Sequence, residues 1–342
     1  MEWSNVSDIN IIQLRVAARF GPIVVNQPRE GKLGYPQTLE WLWDAVAIFS
    51  GNDWLYVWWI PTGPLTKFPL HAAGYHNRAV SATVLDRVMS SYSSSIKAII
   101  YGRRRCNLGA LSASTRALLI AMQDTPGTTN SLSFATAEVE AVGSIYKSMG
   151  INTVEPDRCK QAVASQLPHC RLFHFAGHEH TNTVNPSQSK LLLEDWKSKP
   201  LTVAGLLDMN LRENSPFLAY LSACGTGQIR DERFTDESIH LISACQLAGF
   251  GHVIGTMWEA NDELCVEMAR ITYEKMREKG REKGVTDESV CVGLHCASRE
   301  LRDRWTWPAR RKVRSPTCTD LIEDEEDGMG RAHWIPYVHV GV

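Results

Sequence analysis

Two segments carry side chains whose types and spacing could do chemistry. "RLFHFAGHEH" (171–180) ends an apolar run on His174, His178 and His180, and "FLAYLSACGTG" (217–227) ends another on Cys224. A thiol beside an imidazole is an acyl-transfer nucleophile, because the thiolate attacks while the base handles the proton. Gly225 and Gly227, just behind the cysteine, leave room for a peptide backbone to approach the sulfur. The backbone amides of Cys224 and of Glu179, the residue after His178, are candidate donors to an oxyanion.

Other chemistries fit these residues less well. If the segment stays extended, alternation puts His174, His178 and His180 on one face, as a zinc site would need. No partnered cysteine or carboxylate motif follows, and no C-x-x-C occurs anywhere in the chain, so no metal is expected. His174 lies inside the apolar run and reads as a packed core residue. "GFGHVIG" (249–255) has the glycines of a dinucleotide loop, but it follows a helix and precedes a strand, the reverse of the order required. "GPLTKFPLHAAG" (63–74) lacks the G-K-[ST] ending of a phosphate loop, and its His71 reads as structural. No organic cofactor is implied. Asp231 and Glu232, soon after Cys224, are candidates for a substrate pocket that would favour a basic residue. The competing reading is that these acids open the next helix, where negative charge suits the N-terminal dipole.

Both segments need strands to place them. Runs such as "DWLYVWWIP", "RALLIAMQ", "RLFHFAG", "FLAYLSA" and "HVIGTMW" are apolar without alternation, and amphipathic stretches separate them. That pattern predicts a mostly parallel sheet, doubly wound, with helices on both faces. Ligands of such sheets bind beyond the carboxyl ends of the strands, where His178 and Cys224 both fall. Helices are predicted over 35–49, 81–99 with Ser81 as cap, 132–150 closed by Gly150, 261–284 and 288–305; short strands are predicted over 20–27 and 333–340. The basic Arg310, Arg311 and Lys312 followed by the acidic 323–327 predict a mobile charged loop over 308–330.

With 342 residues and 44% hydrophobic content the chain can bury a large core. A net charge of −2 gives no basic field for nucleic acid, and no run approaches the roughly 20 apolar residues of a membrane helix. Nine scattered cysteines and an opening without a signal peptide point to a reducing, cytoplasmic setting with free thiols.

"HFAGHEH", "LSACGTG" and "ESIHLISACQLAGFGHVIGTMWEANDE", with "IPTGPLTKFPLHAAG" upstream and "HWIPYVHVG" at the end, resemble CHAT domains, most closely fungal members. These are caspase- and separase-like proteins often fused to TPR repeats. The spacing agrees: His178 precedes Cys224 by 46 residues (178 to 224), against about 50 in caspase-like enzymes. The resemblance covers about 35–342, leaving 1–34 as a short N-terminal segment without the TPR region expected in relatives. It implies a clan CD cysteine endopeptidase, with His178 as the catalytic histidine, Cys224 as nucleophile, and a polypeptide substrate or regulatory protein as partner. One position departs from the family. The histidine is normally followed by glycine, and here Glu179 stands there, a residue that resists positive φ and adds a carboxylate beside the imidazole. That departure sustains the rival expectation of a catalytically silent interaction module.

Overall fold

A computed structural model describes residues 35–46, 54–62, 65–66, 68–76, 82–105, 111, 115–182, 184–214, 216–223, 241–258, 260–281, 284–312 and 332–342. Helix α1 (Tyr35–Val46) leads to strand β1 (Leu55–Trp59), helix α2 (Val84–Arg87), strand β2 (Val88–Tyr92), helix α3 (Ile96–Arg105), strand β3 (Arg116–Ala121), helix α4 (Ala135–Ser148) and strand β4 (Asn152–Val154). Helix α5 (Lys160–Gln166) precedes strands β5 (Leu172–Gly177), β6 (Glu179–His180), β7 (Lys190–Leu191) and β8 (Leu201–Thr202), then helix α6 (Val203–Asp208) and strand β9 (Leu218–Ala223). Helix α7 (Leu241–Ala248), strand β10 (His252–Thr256), the long helices α8 (Asp262–Lys279) and α9 (Asp287–Lys312), and strand β11 (Tyr337–Gly341) complete it.

Eight strands form one sheet in the order β1-β2-β11-β10-β9-β5-β3-β4. The apolar runs lack alternation because both faces are covered. Leu118, Ile120, Phe173, Phe175, Ala219 and Leu221 pack on one side with α5, α6 and α7. Their neighbours Ala117, Leu119, Leu172, Ala176, Leu218 and Tyr220 pack on the other with α4, α8 and α9. The α/β expectation therefore holds, with one refinement. Strand β11 pairs antiparallel with β10 but parallel with β2, so β1, β2 and β11 run opposite to the other five. Strands β6, β7 and β8 make a separate small antiparallel sheet.

Two predicted elements are corrected. Residues 81–99 are not one helix: Thr83 caps the single turn of α2 by accepting from the Asp86 N–H, and β2 and α3 follow. The basic 310–312 begin no loop, since α9 runs through Lys312. The remainder of 308–330 beyond that residue, the expected strand at 20–27, and residues 224–240 lie outside the described residues. Gly150 closes α4 as predicted, at φ +72°. Among the described residues no helix is long and apolar enough to cross a membrane.

A buried polar chain stitches the two strand sets together. His252 on β10 meets Asp287 of α9 at 2.9 Å through Nε2 and His339 of β11 at 3.0 Å through Nδ1. His339 Nδ1 lies 2.5 Å from the Ser91 hydroxyl of β2, which lies 2.7 Å from the Tyr56 hydroxyl of β1. The carboxylate can only accept, so with both rings neutral the protons order one way, from Tyr56 through Ser91, His339 and His252 to Asp287. The rings fit because residue 341 is glycine: a Cβ there would meet His252 Nδ1 and His339 Nε2 at 2.7 Å each. Gly341→Ala is expected to cost about 1–3 kcal/mol, as overpacking does. An unchanged urea midpoint would show that this close approach is not needed.

Candidate active site

Strands β5 and β9 lie side by side and parallel, with Gly177 in register with Ala223. The next residues along the chain are His178 and Cys224. His178 thus leaves the sheet at the level of Ala223, where the described part of the adjacent strand ends, the strand spacing being about 4.8 Å. The Thr256 hydroxyl of β10 donates to the Ala223 carbonyl at 2.7 Å, fixing the end of β9.

His178 has a partner that the sequence did not indicate. Its Nε2 lies 2.9 Å from the Asn130 carbonyl. A carbonyl only accepts, so Nε2 carries the hydrogen and Nδ1 is left as the basic atom. The loop bearing Asn130 is braced along its length: Met122 N–H donates to Ala176 O at 2.7 Å, Trp196 Nε1 to Pro126 O at 2.9 Å, and Phe134 N–H to Asp262 Oδ2 at 3.0 Å. A backbone acceptor has no residue-type signature, which is why pattern reading missed it.

Glu179 lies in extended backbone as the first residue of β6, and among the described residues the one non-glycine with positive φ is Asn210. The conformational objection to glutamate at this position is therefore corrected. Leu192 N–H donates to His178 O, and Glu179 is the residue opposite Leu191. In such a non-hydrogen-bonded pair the residue's own N–H points away from the partner strand, here away from β7. The Glu179 carboxylate accepts from the Thr181 hydroxyl at 3.0 Å.

The three histidines do not form one row. His174 is wholly buried in β5, stacked on Tyr220 with its Nδ1 3.1 Å from the Tyr273 hydroxyl; His178 sits between β5 and β6; His180 is exposed. Among the described residues no three His, Cys, Asp or Glu converge as a metal site. Cys224, Gly225, Asp231 and Glu232 lie outside the described residues.

A small pocket with room for about one water, partly open to solvent, lies where β5, β9 and β10 end, on the side of α4 and α8. Ala176, Gly177, Ser222 and Ala223 line it together with Glu138 of α4. Glu138 is only 2% exposed, and its Oε2 accepts from the Ser222 hydroxyl at 2.9 Å. Sequence reading passed over this carboxylate, although a signal existed: it lies on the apolar stripe of α4 with Ala135, Val139 and Val142.

The described cysteines 159, 170, 245, 265, 291 and 296 form no disulfide. Burial pushes the Cys245 and Cys291 thiols up to about 12, so both stay protonated at neutral pH.

The family model for the CHAT domain matches residues 36–300. The chain belongs to the CHAT domain family. This CHAT domain superposes on the Arg-specific cysteine proteinase gingipain R (RgpB) of Porphyromonas gingivalis with a TM-score of 0.53 and 13% identity, over 89% of this chain and 67% of that one. It superposes on the separase–securin complex of Saccharomyces cerevisiae with a TM-score of 0.50 and 11% identity, over 86% of this chain but only 16% of the other. At these identities the likeness is one of fold, the caspase-like α/β fold. Comparison of the CHAT domain with curated proteins gives no match.

Proposed function

We propose that this CHAT domain is a cysteine endopeptidase in which Cys224 attacks a peptide carbonyl and His178 Nδ1 serves as the base. The observation that supports this reading is the register of Gly177 with Ala223 on adjacent parallel strands, the residues that precede His178 and Cys224 in the chain, with the His178 ring oriented by Asn130 O. His178 takes the thiol proton and returns it to the leaving amine, while the amides of Glu179 and Cys224 receive the oxyanion. Control through a partner protein belongs to the same proposal and is supported by the family's frequent fusion to TPR repeats. A peptidyl acyloxymethyl ketone under reducing conditions is expected to label Cys224, read by peptide mass spectrometry. The high thiol pKa values of Cys245 and Cys291 keep those two residues out of the background. Absence of label at Cys224 would instead favour the silent interaction module.

Glu179 tests one part of this mechanism. A misdirected oxyanion donor costs on the order of 10²- to 10³-fold in rate. Since Glu179 already sits in unstrained extended backbone with its N–H turned away from β7, Glu179→Gly is expected to change the labelling rate by less than about tenfold. A hundredfold gain would show that the glutamate misplaces that amide.

A further inference from the structure

The end of β9 is held from two directions. Within the sheet, the Thr256 hydroxyl of β10 donates to the Ala223 carbonyl. From the helix layer, Glu138 of α4 accepts from the Ser222 hydroxyl at 2.9 Å. A hydroxyl on a carboxylate makes a strong, directional bond, so the place of the carboxylate sets that of Ser222. Ser222 stands two positions before Cys224 (222 to 224).

Glu138 is itself fixed by its surroundings. Its Oε1 lies 3.0 Å from His174 Nε2, and both side chains are buried. His174 of β5 stacks on Tyr220 of β9, and its Nδ1 lies 3.1 Å from the Tyr273 hydroxyl of α8. Tyr273 meets Tyr146, further along α4, edge to face with ring centroids 5.1 Å apart. Burying polar groups this deep is unfavourable, and apolar side chains of like size could fill the same space. What the carboxylate adds is direction, because it ties β5, β9 and α8 to one point on α4.

The same helix reaches the histidine. The loop leading into α4 carries Asn130, whose carbonyl holds His178 Nε2, and the Phe134 N–H at the end of that loop is anchored on Asp262 of α8. Asn130 and Glu138 are eight positions apart (130 to 138), on either side of the start of α4 at Ala135. One secures the residue that follows β5, the other the strand that leads to Cys224.

We propose that α4 and its leading loop form one clamp across β5 and β9, and that Glu138, acting through Ser222, is a positioning residue for Cys224. The proposal rests on the peptidase reading for the reaction it serves. The role of Glu138 is to set where β9 ends relative to the imidazole, while proton transfer stays with His178.

Ser222→Ala removes the one hydroxyl through which the clamp acts on β9. Ketone labelling of Cys224 is expected to slow by about tenfold or more, since misplacement on the order of 1 Å costs about 10²-fold. In a His178→Ala background the same substitution is expected to change the rate less than about threefold, because no imidazole is left to align with. A loss smaller than about tenfold in the parent, or an equal loss in both backgrounds, overturns the proposal, the latter by showing a merely structural role. Hydrogen exchange followed by mass spectrometry supplies a readout that does not need Cys224 to react. Ser222→Ala is expected to speed exchange in residues 218–223 about tenfold while leaving 116–121 of β3 unchanged. Unchanged exchange at 218–223 also overturns the clamp. A parent chain that does not label at Cys224 sinks the peptidase reading, and exchange then decides on its own whether Glu138 holds the end of β9.

Discussion

His178→Ala is expected to slow ketone labelling of Cys224 by about 10²- to 10⁴-fold, the range a positioned general base contributes. The register of β5 with β9 brings the imidazole to the level of Ala223, and the Asn130 carbonyl fixes its orientation. Since Nε2 is occupied by that carbonyl, Nδ1 alone can serve the thiol. His178→Asn offers an amide near the position of Nδ1 but no base, and is expected to label as slowly as alanine. Labelling rates within a few-fold of the parent in both variants would show that Cys224 does not depend on this histidine, and the mechanism would fail. A melt recorded beside each reaction separates lost chemistry from lost structure.

Acid is expected to destabilise the domain from about pH 6 downward, beginning before most carboxylates protonate. Burial holds His71 and His76 down at about 4 and His295 at about 3, and burial together with the neighbouring His252 holds His339 well below its ordinary value. These groups bind fewer protons folded than unfolded. The stability they confer is complete above the unfolded value of about 6.5 and is lost as pH falls through the window from there to the folded values. Each histidine then costs about 1 kcal/mol per pH unit, against a total stability of about 5–15 kcal/mol for an ordinary domain. Cooperative loss of circular dichroism is expected between about pH 6 and pH 4, with a steep decline of Tm below pH 6.5. His76, whose Nε2 donates to the Ala72 carbonyl at 2.8 Å, gives a specific check, because His76→Gln should make that decline shallower. A Tm that stays flat from pH 7 to pH 5 would contradict this account.

Sequence pattern found the strands that carry the site because their physics is local. Leu172 to Gly177 and Leu218 to Ala223 are buried on both faces, and such strands read as uninterrupted apolar runs. Strand β2 was hidden for the opposite reason. Ser90 and Ser91 make "VMSSY" look amphipathic and helical, yet Ser91 is fully buried because His339, far away in sequence, accepts its hydroxyl. No window of neighbouring residues contains that partner. The same limit applies to strand polarity, since β11 is apolar whichever way it runs. At the site, His178 and Cys224 were legible as residue types with a spacing, whereas the Asn130 carbonyl and the direction of the Glu179 N–H are backbone properties. Glu138 was legible in principle, as an acid on a stripe that otherwise packs.

The position of β11 between β2 and β10 bears on how the domain is made. The strand that joins the two oppositely running sets follows every other strand in the chain. On a ribosome, both sets emerge before the segment that fits between them. Until residues 337–341 are released, β2 and β10 each lack the neighbour that pairs with them in the finished sheet. Exposed strand edges of this kind invite pairing with other chains. Chains stalled just short of β11 are therefore expected to be the aggregation-prone form and to depend most on chaperones, with Ser91 and His252 still without the His339 ring that later bridges them.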